Sequence, residues 1–209
     1  ISKDLYTALV KAPEARNPLV FPFHGTGGDE HQLFELAGQL VPGAGIVSPR
    51  GDVSEMGAAR FFRRTGEGVY DMDDLAQRTI AMASFLKDMK AKTGAEHVIG
   101  LGYSNGANIL ASVALSSPDI FDDLILMHPL IPWTPSPQPG LKDRNVLITA
   151  GQRDPICPPA ETEAFAQYLA AQGANSRVEW HPGGHETAQN ELGAIQDFLS
   201  DVSGLQVAS

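Results

Sequence analysis

Short apolar runs alternate along this chain with segments in which apolar residues return every three or four positions. Besides Arg177–Trp180, which also reads as a strand, the runs Leu19–Phe23, Gly45–Ser48, Val98–Gly102, Leu124–Met127 and Val146–Thr149 are too short for helices and lack strict polar alternation. They read as strands buried on both faces. Between them, Leu33, Phe34, Leu36, Ala37 and Leu40 follow a candidate capping box of Asp29 and Gln32. Leu75, Ile80, Ala83, Leu86 and Met89 predict one apolar face of a long helix from Asp71 to Lys92, with acids at its start and lysines at its end, as the helix dipole favours. Further helices are predicted over Asn105–Ser116, Pro159–Gln172 and Ala188–Leu199. Residues 50–70 show no period and read as a long functional loop or irregular excursion. The proline-rich run 129–139 lacks too many N–H donors for helix or central strand and reads as a surface loop. Strands alternating with helices predict an α/β fold with a mostly parallel central sheet and helices on both faces. No boundary divides it, so residues 1–209 read as one domain.

Composition narrows the partners. The 25 acidic against 15 basic residues give a formal charge of −10, which disfavours nucleic acid and anionic membrane surfaces. The charge-free window Val98–Pro118 is long enough to span a bilayer but carries Ser104, Asn105, Asn108, Ser112, Ser116 and Ser117. A buried strand followed by a buried helix explains it better than membrane insertion. The single Cys157 forms no internal disulfide, and the charged start resembles no signal peptide, which points to the cytoplasm. The chain opens without an initiator methionine, so a removed leader stays open. A homodimer is compatible with this composition.

The chemistry gathers at three strand ends. Gly102-Tyr103-Ser104-Asn105-Gly106 is a G-x-S-x-G sequence placed where a buried strand meets a buried helix. That sharp turn presents the Ser104 hydroxyl beside a helix N-terminus, where developing negative charge is favoured. A serine hydroxyl needs a base, and the base an orienting partner. Asp154 follows the strand 146–149 and His185 follows the strand 177–180. Carboxyl ends of parallel strands share one edge of the sheet, so the three loops can converge there.

Together with His24-Gly25-Thr26-Gly27-Gly28-Asp29, Pro49-Arg50-Gly51, Arg60-Phe61-Phe62 and Gly102–Asn108, the order Ser, Asp, His resembles the small α/β-hydrolases of the phospholipase/carboxylesterase group, relatives of acyl-protein thioesterases and small bacterial carboxylesterases. The resemblance covers nearly the whole chain. It implies an α/β-hydrolase fold without a separate lid domain, Ser104 as nucleophile, His185 as general base and then acid, and Asp154 as orienter. It implies an oxyanion hole from the backbone N–H groups of Thr26 and Asn105; the group more often has a bulky apolar residue at the position of Thr26. No cofactor is implied.

Several residues compete for these roles. His181 is the rival base, but Gly183-Gly184 give His185 the freer backbone. His24, Asp29 and His31 lack metal spacing and suit packing and capping; no metal is expected. His97 and His128 have no partner evident in sequence and read as structural. Dienelactone hydrolases place cysteine at the sharp turn; here that position holds Ser104, so Cys157 reads as a packed apolar residue. Phe61 and Phe62 could wall a substrate pocket and Arg60 could clamp a substrate carboxylate; against this, the aromatics could cap the core and the arginines pair with Asp71, Asp73 and Asp74. The expectation is a serine carboxylesterase acting on short-chain or aryl esters of small molecules through an acyl-enzyme. The alternatives are a thioesterase or lysophospholipase, or a catalytically silent ligand-binding scaffold.

Overall fold

A computed structural model describes residues 6–203 of the chain. Seven strands form the central sheet in the order β1 (Ala8–Lys11), β3 (Gly45–Pro49), β2 (Leu19–Phe23), β8 (Val98–Tyr103), β9 (Asp123–Met127), β10 (Asn145–Gly151) and β11 (Asn175–His181). Only β1 pairs antiparallel; every other neighbour is parallel. Parallel strands need crossovers; α1 (Phe34–Leu40), α2 (Met72–Thr93), α3 (Asn105–Ser116) and α4 (Pro159–Ala171) supply all but the one from β9 to β10, which runs through residues 128–144 without an α-helix, and α5 (Gln189–Ser203) follows the last strand. Strand side chains alternate between two cores. Leu19, Phe21, Phe23, Leu124, Leu126, Val146 and Ile148 pack on the side of α2, α3 and α4. Val20, Ile99, Leu101, Ile125, Met127 and Leu147 pack on the side of α1 and α5. Both faces are covered, which is why these strands carry no polar alternation.

Pro22 sits inside a central strand without loss. The Leu19 N–H donates toward β8, to the His97 carbonyl, at 3.0 Å, so the N–H groups of positions 20 and 22 point the other way, toward β3. Pairing with β3 ends at Val20, whereas pairing with β8 continues to Phe23. The missing donor therefore falls where no acceptor strand remains.

Four expectations need correction. The Asp29–Gln32 capping box does not form: Asp29 Oδ1 accepts the His31 N–H at 2.8 Å, Gln32 Oε1 accepts the Gly25 N–H at 2.9 Å, and α1 begins later, at Phe34. Ile80 is 73% exposed, and Thr79 and Met82 take the buried face instead. Residues 53–70 are not structureless: β4 (Val53–Glu55) pairs with β5 (Ala58–Arg60), and β6 (Arg64–Gly66) with β7 (Val69–Tyr70), as two short hairpins. The proline-rich run leaves β9 through buried Leu130 and Ile131 before reaching the surface. Among the described residues no helix is long and apolar enough to cross a membrane.

Candidate active site

Ser104 stands between β8 and α3 with φ 53° and ψ −116°, a left-handed backbone that a residue with a Cβ adopts only under constraint. Its N–H donates to the Met127 carbonyl at 2.9 Å and its carbonyl accepts the Asn108 N–H at 3.0 Å, which fixes the turn from both sides. Gly106 lets the helix approach: a Cβ there would lie 2.1 Å from the Phe23 carbonyl oxygen. The N-terminus of α3 thus rests directly on the end of β2, and the His24–Gly28 loop is brought beside Ser104.

The three loops meet. Ser104 Oγ lies 2.8 Å from His185 Nε2, and His185 Nδ1 lies 2.7 Å from Asp154 Oδ2. The other oxygen of Asp154 accepts the backbone N–H groups of Ile156 (2.8 Å) and Cys157 (2.9 Å). Burial pushes the Asp154 carboxyl upward, but the Cys157 N–H, the His185 ring and the Ile156 N–H outweigh it and hold the group below the usual carboxylate range. Neither Gly183 nor Gly184 adopts a positive φ. Their use is proximity: a Cβ on Gly151 would lie 2.0 Å from the Gly184 carbonyl oxygen, and the Arg153 N–H donates to the Gly183 carbonyl at 2.9 Å. The Asp154 and His185 loops therefore pack backbone against backbone. His181, the rival base, is buried at the end of β11, where its Nδ1 accepts the Gly183 N–H at 3.0 Å and its Nε2 meets no partner.

Thr26, Ser104, Asn105 and His185 line one cavity of about 220 Å³. Asn105 opens α3, so its N–H has no carbonyl one turn back, and Thr26 lies in a loop; among the described residues neither N–H donates to a protein acceptor. Two side chains shape the Thr26 loop. The buried His24 ring accepts the Gly51 N–H on Nε2 at 2.9 Å and contacts the Gly25 carbonyl through Nδ1 at 2.7 Å; burial lowers its basicity, so it stays neutral with the proton on Nδ1. Arg60 donates from Nη1 to Thr26 Oγ1 at 2.6 Å and from Nε to the Phe62 carbonyl at 3.1 Å.

The hairpin segment divides its residues between core and cavity. Phe61 and Phe62 are fully buried; Phe61 packs on Phe23 and His24, Phe62 on Tyr70, and neither lines the cavity. The Phe61 N–H donates to Asn105 Oδ1 at 2.8 Å, tying the segment to α3. The expected arginine pairings are different as well: Arg64 makes a two-pronged pair with Glu55 at 3.0 Å, and it is the Arg63 backbone N–H that meets Asp74, at 2.7 Å. Arg60 is 3% exposed, lines the cavity and, among the described residues, has no carboxylate partner. Burial lowers its basicity.

Sequence reasoning missed the cavity floor and the rear of the site. Asn108 Nδ2 donates to the Tyr70 hydroxyl at 2.8 Å, Tyr70 donates to the Leu130 carbonyl at 2.7 Å, and the Leu130 N–H returns to Asn108 Oδ1 at 2.6 Å. Asn108 could have been found, since it lies one helical turn beyond Ser104 on the same face. Tyr70 and Leu130 carry no local signal. His128 is not merely structural packing at a distance: it lies against Asp154 and Glu191. Cys157 packs 3.8 Å from His185 Nδ1, and burial pushes its thiol far above the usual range, so it stays protonated. Three groups of described residues gather metal-capable atoms within 4.8 Å: His128/His181/Glu191, His128/Asp154/His185 and Asp29/Glu30/His31. In each, two donors already bond one another.

Residues 55–193 match the Dienelactone hydrolase family. The chain is 42% identical over 181 residues to a Bacillus subtilis (strain 168) protein described as "Putative hydrolase MhqD", covering 85% of this chain and 90% of that one. It is similar to the structure of Atu2452, a protein of unknown function from Agrobacterium tumefaciens str. C58, with 52% identity, TM-score 0.91 and coverage of 97% and 100%. It is also similar to the Bacillus cereus carboxylesterase, with 32% identity, TM-score 0.87 and 94% of each chain covered.

Proposed function

Since the chain belongs to the Dienelactone hydrolase family and is a hydrolase of the carboxylesterase type, we propose that it cleaves short-chain or aryl carboxylic esters with Ser104 as the nucleophile. The observation that carries the reading is the unbroken contact from Ser104 Oγ through His185 to Asp154, at 2.8 and 2.7 Å. Ser104 attacks the ester carbonyl while His185 Nε2 takes its proton. The carbonyl oxygen gains negative charge and is met by the N–H groups of Thr26 and Asn105, each worth about 3 kcal/mol to the transition state. His185 returns the proton to the departing alcohol, then activates the water that releases the acid. Cys157, buried and protonated, takes no part as nucleophile.

A fluorophosphonate probe tests the nucleophile: labelling is expected on Ser104 and lost in Ser104→Ala, and refusal by the folded wild-type protein would favour a silent scaffold. A panel of aryl esters and thioesters of increasing chain length, run against the same variant, separates esterase from thioesterase. The cavity of about 220 Å³ favours small acyl groups.

Arg60 favours a second reading, about substrate charge. A buried guanidinium that has no carboxylate partner among the described residues and lies beside the nucleophile suits an ester that carries its own carboxylate. An aryl half-ester of a dicarboxylic acid should then show a lower KM than its neutral methyl-capped analogue, and Arg60→Gln should erase the difference. Equal KM values in the wild-type enzyme would return Arg60 to holding Thr26 alone.

A further inference from the structure

Asp154 has a second imidazole behind it. His128 follows β9, is fully buried, and holds φ at 53° although it is not glycine. Its N–H donates to the Thr149 carbonyl at 2.9 Å, and its own carbonyl accepts the Cys157 thiol at 3.4 Å, so β10 and the loop after it hold its backbone in place. Ring Nε2 lies 2.7 Å from Glu191 Oε1. Ring Nδ1 lies 3.4 Å from Asp154 Oδ2, the same oxygen that His185 Nδ1 contacts at 2.7 Å. Glu191, buried in the first turn of α5, uses its second oxygen to accept the Ala188 N–H. The other titratable groups around the ring are His185 and His181, each with centroids 5.4 Å away, Tyr103 at 6.1 Å, the Cys157 thiol, and Glu186 on the His185 loop.

Both ring nitrogens of His128 thus face carboxylate oxygens. A neutral imidazole has one lone pair and would set it against one of those carboxylates; an imidazolium donates to both. From this arrangement we propose that His128 is a protonated positioning residue: clamped by Glu191, it holds Asp154 from behind and balances one of the two buried carboxylates, so that a single net negative charge faces His185. Burial works against a charged ring, yet Glu191 and Asp154 outweigh it and lift His128 above the ordinary histidine range. Burial also opposes charge on Glu191, and the His128 ring reverses that and holds the carboxyl low. The proposal rests on the reading of Ser104, His185 and Asp154 as the proton relay.

Nitrogen-15 NMR of the histidine-labelled full chain, without substrate, reads the ring directly. Both nitrogens of one histidine should remain protonated at pH 7.5, and that signal should vanish in His128→Gln. A neutral His128 in the folded wild-type protein overturns the proposal whether or not the protein is an esterase, as it would if Glu191 carried the proton instead. The kinetic arm uses 4-nitrophenyl acetate. Removing the cation in His128→Gln leaves two carboxylates behind His185 and should move the acid limb of kcat/KM upward by roughly half a pH unit or more. Adding Glu191→Gln to the same chain restores a single negative charge and should bring the limb back, although kcat stays low. A purely structural role would lower kcat and leave the limb in place, and a stationary limb in folded His128→Gln would sink the idea. Should the variant not fold, the wild-type ring signal that persists in His97→Gln decides, since His97 is the other histidine paired with a carboxylate and shifted upward.

Discussion

The two sides of His185 use their polar groups in opposite ways. On the cavity side, among the described residues, the N–H groups of Thr26 and Asn105 have no protein acceptor and Arg60 has no carboxylate partner. On the far side, the buried carboxylates are met by several donors: Asp154 accepts from His185, Ile156 and Cys157, and Glu191 from His128 and Ala188. Buried polar groups are costly unless paired, so a fold that leaves donors idle beside a strained serine does so where another molecule will supply the acceptor. The rear, where both carboxylates are paired, positions; the front, where backbone donors are unpaired among the described residues, is open to a ligand.

The comparison breaks most sharply at the front. If Ser104 is the nucleophile as proposed, Ser104→Ala should cut kcat on a reactive aryl ester by ~10⁴-fold or more while leaving the thermal midpoint nearly unchanged, because it removes one hydroxyl and little packing. At the rear, Glu191→Ala should do the reverse in emphasis: it strands the His128 charge and should cost about 3–5 kcal/mol in denaturant unfolding. Gly106→Ala strikes the joint between the two sides. Its Cβ would meet the Phe23 carbonyl at 2.1 Å, so β2 and α3 must separate. A loss of about 1–3 kcal/mol is expected, with kcat falling by ~10²-fold as the Thr26 loop moves away from Ser104.

Smaller effects come with pH. Asp154 and Glu191 are held below their ordinary values of 3.8 and 4.5, so the stability they contribute is present above those values and lost as pH falls through their lower folded values. His128 is held above 6.5, so its contribution is full below 6.5 and declines as pH rises through the higher folded value. Unfolding free energy should therefore peak in between, and Glu191→Gln should flatten the alkaline decline; a wild-type curve rising steadily from pH 6 to 9 would contradict the charged pair. Least of all, Ile80→Gln on the exposed face of α2 should change stability by no more than ~0.5 kcal/mol and activity not at all.

Most of the fold was legible because its signals are local. Apolar runs such as Leu124–Met127 and the spacing of Leu75, Ala83, Leu86 and Met89 declare strands and a helix within a few residues, and G-x-S-x-G marks its own turn. The hairpins of residues 53–70 were not legible, since strands of two or three residues with mixed polarity carry no period; their pairing is held by contacts such as Phe61 to Asn105. His128 and Glu191 stand 63 positions apart, and nothing near either residue announces the other.

By itself the sequence determined the alternation of buried strands and helices, and which serine, carboxylate and imidazole stand at strand ends, because backbone preference and hydrophobic period act over a single turn or pleat. Only the tertiary structure decided that Phe61 and Phe62 belong to the core, that Arg60 faces the cavity with no carboxylate partner among the described residues, and that His128 lies between two carboxylates. Those outcomes depend on which side chains share a buried space once the hairpin segment packs on β2 and α3 and α5 brings Glu191 to His128, and proximity of that kind is set by packing of the whole chain.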